Sequence, residues 1–404
     1  MLEVLEKKRC TGCTACKNIC PVNAIEMMEN TQGFLFPEIN QETCVDCGLC
    51  RKTCPVIADK KATVPLEIVA LKHKNKEIRE NSTSGGAFSL LAEKILSEDG
   101  IVYGAAFTQE WSVKHIRVTD MDGLKLLQKS KYVQSNMGHA YENVKQDLTE
   151  GKKVLFSGTA CQCDGLLNYL QKKQVSVADL YLCDLICHGV PSPKIWKDYV
   201  EFRKKKYGKI KSIDFRDKTK GWRDFKMSFV DENGKKHFSR QSDDYFFILF
   251  FHNFILREAC HHCEYTNIER ISDFTLGDFW GVEEMYQGFS DDEGISILLV
   301  NSRKGKILTD QLLEKTQSIR VAENECMLRQ PNLSHPTKKN MRAEEFWDDY
   351  SKHGFEYIIK KYADGSILGR IKREYLYKIL YHMGLFQFLV WMKGKIKNNN
   401  GERS

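Results

Sequence analysis

Eight of the chain's fifteen cysteines lie within the first 54 residues, in two copies of one pattern. The first copy is Cys10-x2-Cys13-x2-Cys16-x3-Cys20 followed by Pro21, and the second is Cys44-x2-Cys47-x2-Cys50-x3-Cys54 followed by Pro55. Nothing else in the sequence narrows the fold so far, because ligands this close must wrap a compact inorganic core. Three thiolates at such spacing cover one face of a 4Fe–4S cubane, while the fourth, ahead of proline, turns toward a neighbouring cluster. The spacing therefore assigns Cys10, Cys13, Cys16 and Cys54 to one cluster and Cys44, Cys47, Cys50 and Cys20 to the other. Gly12 and Gly48 let the backbone curl so that amides approach the sulfurs. Paired CxxC motifs also bind zinc, but zinc takes four ligands per ion and has no use for the whole run repeated.

Residues 1–58 as a unit resemble a bacterial two-cluster ferredoxin domain. The resemblance implies one-electron transfer at low potential, with no substrate chemistry of the domain's own. Its setting agrees: MLEVLEKKRC lacks the apolar core and cleavage site of a signal peptide, so a cytoplasmic protein with reduced thiols is expected. An odd number of cysteines also argues against a disulfide framework. The longest predominantly apolar stretch, Tyr245 to Leu256, is 12 residues and includes His252 and Asn253, against the roughly 20 that a membrane span needs. It reads as a buried helix.

The 404 residues, 42% apolar and 28% charged, describe a globular chain of two or three domains at about 100–200 residues each. Only 8 prolines occur, which disfavours a long proline-rich linker. From about residue 65 to 330 helical and strand patterns alternate. Helices are expected over Ser84–Ser97, Gly165–Lys172 and Lys194–Tyr207, with strands over Ile101–Phe107, Lys153–Phe156 and Val177–Leu185. A hairpin follows, with Lys226–Val230 and Lys236–Arg240 flanking Asn233-Gly234. The expected fold class is α+β and α/β multidomain: a ferredoxin-like domain (1–58), then an α/β domain with a mixed sheet in two parts (65–150 and 151–330), and a helical C-terminus (340–404).

Seven cysteines remain: Cys161, Cys163, Cys183, Cys187, Cys260, Cys263 and Cys326. Cys161 and Cys187 each follow an expected strand, and strand ends of parallel α/β sheets converge at one ligand-binding edge. With Cys260-x2-Cys263 they would make a four-thiolate site; the alternative is ordinary buried thiols. The segments STSGGA (82–87), SKYVQS (130–135), LFSGTACQ (155–162), CHGVPSP (187–193), FRDKTKGW (215–222), CHHCEY (260–265) and DFTLGDFWG (273–281) are similar to those of the coenzyme F-420 hydrogenase/dehydrogenase beta-subunit family, from about residue 65 to 320. That resemblance implies a flavin adenine dinucleotide (FAD) with a third 4Fe–4S cluster close by, held by Cys161, Cys187, Cys260 and Cys263. Cys163, Cys183 and Cys326 fall outside the motif positions and read as packing residues. Family members usually have proline where this chain has Ala160, a change that removes a fixed φ but no ligand.

The resemblance also puts Ser82, Thr83, Ser84, Gly85 and Gly86 in the flavin-binding region. This loop opens a helix, and its hydroxyls, glycines and N–H groups suit a pyrophosphate. Lys131, Tyr132, Gln134 and Ser135 would add charge, stacking and hydrogen bonds. No GxGxxG follows a strand, so a Rossmann nicotinamide site lacks its usual signature. Flavin exchanges electrons both in pairs and singly, which would explain three clusters on one chain. The expected activity is an iron–sulfur flavoprotein oxidoreductase, working between a hydride carrier (deazaflavin F-420 or NAD(P)H) or an organic substrate and a one-electron partner protein such as ferredoxin. The alternative is an electron-relay module serving a partner enzyme. His188, Asp217, Lys218, Asp278 and Trp280 lie in the motifs without a catalytic pairing; His188, beside Cys187, suits a hydrogen bond to sulfur.

The net charge of +7 is unevenly spread: residues 365–404 hold five lysines and three arginines against two glutamates, a net of +6, which leaves +1 for residues 1–364. No nucleic-acid site is expected. Leu385–Met392 is apolar and bracketed by basic residues, so this tail reads either as a peripheral contact with the inner face of a membrane or as a helix docked on the core.

Overall fold

A computed structural model describes residues 7–60 and 62–363. The basic tail at 365–404 lies outside the described residues. Of the helical C-terminus, the described part holds helices Ala343–His353 and Phe355–Ile358.

The N-terminal domain keeps its sequence repeat in the backbone. Helices Ala15–Ile19 and Leu49–Thr53 follow matching left-handed turns, with φ 69° and 49° at Gly12 and Asp46, and 65° and 69° at Thr14 and Gly48. Each helix stops at its fourth cysteine, and Cys20 and Cys54 are both extended. Between the two motifs an antiparallel hairpin forms from β1 (Ile25–Glu29) and β2 (Leu35–Ile39).

Eight further strands form one mixed sheet: β3 (Glu67–His73), β4 (Ile101–Phe107), β5 (Val113–Val118), β6 (Val154–Ser157), β7 (Leu180–Leu185) and, after a separate three-stranded sheet of β8 (Ile210–Asp217), β9 (Lys226–Asp231) and β10 (Lys236–Arg240), then β11 (Phe274–Asp278), β12 (Ser296–Val300) and β13 (Thr316–Arg320). The order in the large sheet is β13-β3-β12-β11-β7-β6-β4-β5. Its centre, β4-β6-β7-β11, is parallel, and both flanks are antiparallel. Parallel central strands need cover on both faces. Helix Ala87–Ser97 supplies one side through Leu90, Leu91 and Ile95; helices Ala140–Thr149 and Ala160–Lys172 supply the other through Tyr141, Leu166 and Tyr169. The inner cysteine loop also packs on this second face, where Cys13 joins the same core.

The small sheet packs with helices Pro193–Tyr207 and Tyr245–Phe251 around an aromatic core of Trp196, Tyr199, Phe215, Phe229, Phe246 and Phe247. The apolar stretch at 245–256 is thus a buried helix over its first seven residues. Among the described residues no helix is long and apolar enough to cross a membrane. Several boundaries differ from expectation: the helix expected from Gly165 begins at Ala160, the strand expected from Val177 at Leu180, and the helix expected from Ser84 at Ala87. Gly86 has φ +95°, and a Cβ at Gly85 would stand 2.2 Å from the Leu71 carbonyl oxygen, so the chain reaches helical geometry only past both glycines.

This packing has two measurable consequences. Gly85→Ala forces the loop off β3 and should cost about 1–3 kcal/mol in urea unfolding, as overpacking does; an unchanged midpoint would disprove the close approach. His115 is buried with its ring between Ser135 Oγ (2.6 Å) and the Ser157 carbonyl (3.0 Å), and burial pushes its pKa down to about 4. Below a free-histidine pKa of about 6.5 the unfolded chain binds a proton that the folded chain refuses, so this residue should remove roughly 2 kcal/mol of stability between pH 7.5 and pH 5. Urea titrations of wild type and His115→Gln over that range should differ by this slope.

Candidate metal centres and an adjoining cleft

The twelve motif cysteines gather in three groups. Cys20 lines one small cavity with Cys44, Cys47 and Cys50, across from its own motif. Cys54 lies instead among Cys10, Cys13 and Cys16, each close enough to one or more of the others for their charges to interact. The helices' extended ends explain the exchange, since each fourth cysteine points away from its own loop. The two groups differ in exposure: Cys13, Cys16 and Cys54 are buried against the large domain, whereas Cys47 is exposed. A Cβ at Gly165, on helix Ala160–Lys172, would stand 3.0 Å from Cys13 Sγ, so the inner loop sits directly on that helix.

Cys161, Cys187, Cys260 and Cys263 surround a third cavity. Three features bring them together. β6 and β7 end side by side and deliver Cys161 and Cys187. Pro191 bridges Leu256 in antiparallel fashion, which brings the 3-10 turn Glu258–His262 over the same edge. Val190 N–H then points at Cys260 Sγ at 3.4 Å. Burial pushes these thiols up, to about 11 for Cys161 and about 12 for Cys260. Thiols so disfavoured as free thiolates are suited to a cationic metal core, which exchanges their protons for bonds. Among the described residues no three Cys, His, Asp or Glu side chains converge on a single-ion point. Two of the three groups line cavities instead, an arrangement that would fit the ligands of a multi-iron cube.

Cys163, Cys183 and Cys326 are fully buried in apolar cores and line none of these cavities.

Against the third cavity lies a cleft of about 640 Å³, within the usual range of ligand pockets, about 300–1,000 Å³. Its walls include the Ser82–Gly86 loop, Ser130–Val133, Ser157–Thr159, Arg216, Phe250 and Trp280. The first turn of helix Ala87–Ser97 opens onto it with no side chain capping the helix. The hydroxyls of the loop are spent elsewhere: Ser82 Oγ donates to the Ile78 carbonyl (2.7 Å) and Ser84 Oγ to that of Ile295 (2.6 Å), and Thr83 Oγ1 accepts from Ser130 N–H (2.9 Å). An anion here would therefore meet backbone N–H groups rather than the expected hydroxyls.

The second segment is divided. Tyr132 and Ser135 line the cleft, with Tyr132 OH accepting from Arg216 (3.1 Å) and Ser135 holding His115. The Lys131 ammonium is turned onto the carbonyls of Leu126 and Gln128 (2.8 and 2.6 Å), and burial lowers its pKa to about 7. Gln134 is not part of the cleft wall: it donates to the Thr11 carbonyl (3.0 Å) at the seam with the N-terminal domain.

The other motif residues hold one another in place, with His188, Asp278 and Trp280 also in the cleft wall. Asp278 binds Arg216 (3.0 Å) and Trp222 Nε1 (3.0 Å), and Trp280 stacks on Trp222 at 4.6 Å. Lys218 ties together the carbonyls of Arg79 and Glu293. Asp217 is bonded to Thr219, Ser228 and Lys236. His188 faces Asn253 (2.8 Å) and Thr337 rather than sulfur, because Phe250 packs edge-on against its ring. Sequence reasoning missed Arg216, His115 and Arg257; the last is a lone cation closing an apolar run three residues before Cys260, which was the available signal.

Comparison with known proteins matches residues 151–324 to the family described as the C terminus of the coenzyme F420 hydrogenase/dehydrogenase beta subunit, and residues 9–58 to the 4Fe-4S dicluster domain. STSGGA and SKYVQS precede the first of these matches. Among solved structures, the F420-reducing [NiFe] hydrogenase complex from Methanosarcina barkeri is similar at 17% identity, over 73% of this chain and 95% of that chain, with a TM-score of 0.48. No curated protein matches the sequence. Residues 151–324 thus match the C-terminal part of the coenzyme F420 hydrogenase/dehydrogenase beta-subunit family, and a 4Fe–4S dicluster domain precedes them.

Proposed function

We propose that this iron–sulfur protein is a flavin-dependent oxidoreductase. It would bind FAD in the cleft, hold a third 4Fe–4S cluster with Cys161, Cys187, Cys260 and Cys263, and exchange electrons with a one-electron partner through the dicluster domain. One observation carries the reading: the cleft and the third cysteine cavity share a wall, formed by Thr159, Leu185 and Cys187–Val190. A ring system in the cleft would therefore lie against the loop that carries a cluster ligand. When bound, a flavin would supply the conversion between paired and single electrons. The hydride carrier on its other side would be a deazaflavin such as F-420, or NAD(P)H.

The chain's own residues do the positioning. The uncapped first turn of helix Ala87–Ser97 offers N–H groups and a positive dipole end to a pyrophosphate. Arg216, paired with the Asp278 carboxylate, bonded to Tyr132 and lying 3.7 Å over the Phe225 ring, keeps an oriented guanidinium in the cleft wall. Trp280, supported by Trp222, gives a flat apolar surface. His115, neutral above about pH 4, keeps Ser135 oriented without adding charge.

Anaerobic reconstitution should yield one FAD per chain and about twelve iron atoms, four per cubane. Reduced F-420 or an NAD(P)H should then bleach the flavin absorbance and pass electrons to ferredoxin. Trp280→Ala should weaken flavin binding at least tenfold at unchanged iron content, and Cys187→Ala should lower iron by about four atoms while leaving the dicluster signal. Full iron with no flavin, and no reduction by any two-electron donor, would leave an electron-relay module instead.

A further inference from the structure

We propose that Arg257 is a built-in positive charge shared by two clusters, the inner one of the dicluster domain and the third one, and that it raises the reduction potential of both together. The inference rests on the third cluster of the proposed function.

Arg257 is 1% exposed, one of the largest fully buried side chains. Its backbone is fixed between the two loops that bear cluster ligands: its N–H donates to the Val190 carbonyl (3.0 Å), and its carbonyl accepts from Cys260 N–H (2.9 Å). Its side chain then crosses into the N-terminal domain. Nε donates to the Cys10 carbonyl (2.6 Å), Nη2 donates to the Leu35 carbonyl (2.9 Å) and points at Cys10 Sγ (3.6 Å), and Nη1 donates to Gln134 Oε1 (3.0 Å). The guanidinium plane lies over Phe36 at 4.2 Å. Gly12 makes room, since a Cβ there would stand 2.8 Å from Nη1.

The partners are all neutral carbonyls, an amide and a ring, apart from one thiol. Among the described residues no carboxylate pairs with Arg257. A buried cation without an anion is costly. The nearest groups able to supply negative charge are the ligands themselves: Cys10 in direct contact, with Cys161 and Cys260 also within reach of its field. Loaded clusters with their four thiolates are anionic, and they would provide the missing counter-charge on both sides. Arginine suits the position because its rigid fork satisfies several acceptors at once and it never loses its proton.

The electrical consequence is direct. Reducing a cluster adds one electron and makes or breaks no bond; the electron comes from the hydride carrier or from ferredoxin. A fixed positive charge favours that added electron at both flanking clusters. The outer cluster, of Cys20, Cys44, Cys47 and Cys50, has no contact with this side chain.

The test is an EPR-monitored potentiometric titration of the full-length reconstituted protein, with signals assigned through the Cys187→Ala variant. In Arg257→Gln the reduction equilibria of the inner and third clusters should each fall at least tenfold, ~59 mV for a one-electron couple, while the outer cluster moves far less. Gln134→Glu, which places a carboxylate against the guanidinium, should shift the same two clusters the same way without removing the arginine. Unchanged midpoints in both variants at full iron content, or an equal shift of all three clusters, would overturn the proposal. If iron content shows only two clusters, the third-cluster reading fails, while the inner cluster's midpoint still decides the role of Arg257.

Discussion

Four parallel strands ending at one edge of the large sheet decide where the chemistry of this chain can be. Because β4, β6, β7 and β11 run the same way, every loop leaving their C-terminal ends emerges on the same side. Cys161, Cys187 and the Asp278–Trp280 segment all leave from there. The aromatic subdomain then closes over that edge, and its returning strand pair at Pro191 and Leu256 sets Cys260 and Cys263 against the others. Parallel pairing is what puts Cys161, Cys187 and Asp278 at the same end of their strands. The antiparallel flanks take no such part, and they carry none of the twelve motif cysteines.

The N-terminal domain is joined to this arrangement by contact rather than by the linker alone. Cys13 packs against helix Ala160–Lys172, and Gln134 and Arg257 reach its loop from the large domain. Ser192 and Lys194 also bond to the carbonyls of Gln32 and Thr31 at the hairpin tip. A ferredoxin-like unit on a flexible tether would meet its neighbour in many orientations. Here the inner motif is buried in the seam.

Much of this was legible in the sequence. Cysteine spacing anticipated how the eight N-terminal cysteines group, with Cys20 and Cys54 each beside the other motif, because that pattern reports a local geometry. The α/β alternation and the hairpin at Asn233-Gly234 were legible for the same reason. The seam was not. Gln134 sits in a segment that reads as part of a ligand site, yet its amide faces Thr11 across the seam and not the cleft that Tyr132 and Ser135 line. The hydroxyls of Ser82 and Ser84 also read as anion ligands, and both are used on carbonyls, one of them 211 positions away. Contacts of that range leave no periodic trace, so a polar side chain's partner cannot be read from its neighbours.

The repeat that organises the first 58 residues is nearly exact in spacing and in backbone turns, yet its two halves occupy opposite surroundings. One set of thiols is enclosed by protein; the other includes the exposed Cys47 beside the exposed Val45. Solvent access is among the levers that set a cluster's potential. Clusters held by these two equally spaced sets would therefore be electrically unequal, because of where the domain is docked. A symmetric motif would then work as a polarised conductor, with one insulated terminal and one terminal open to the medium.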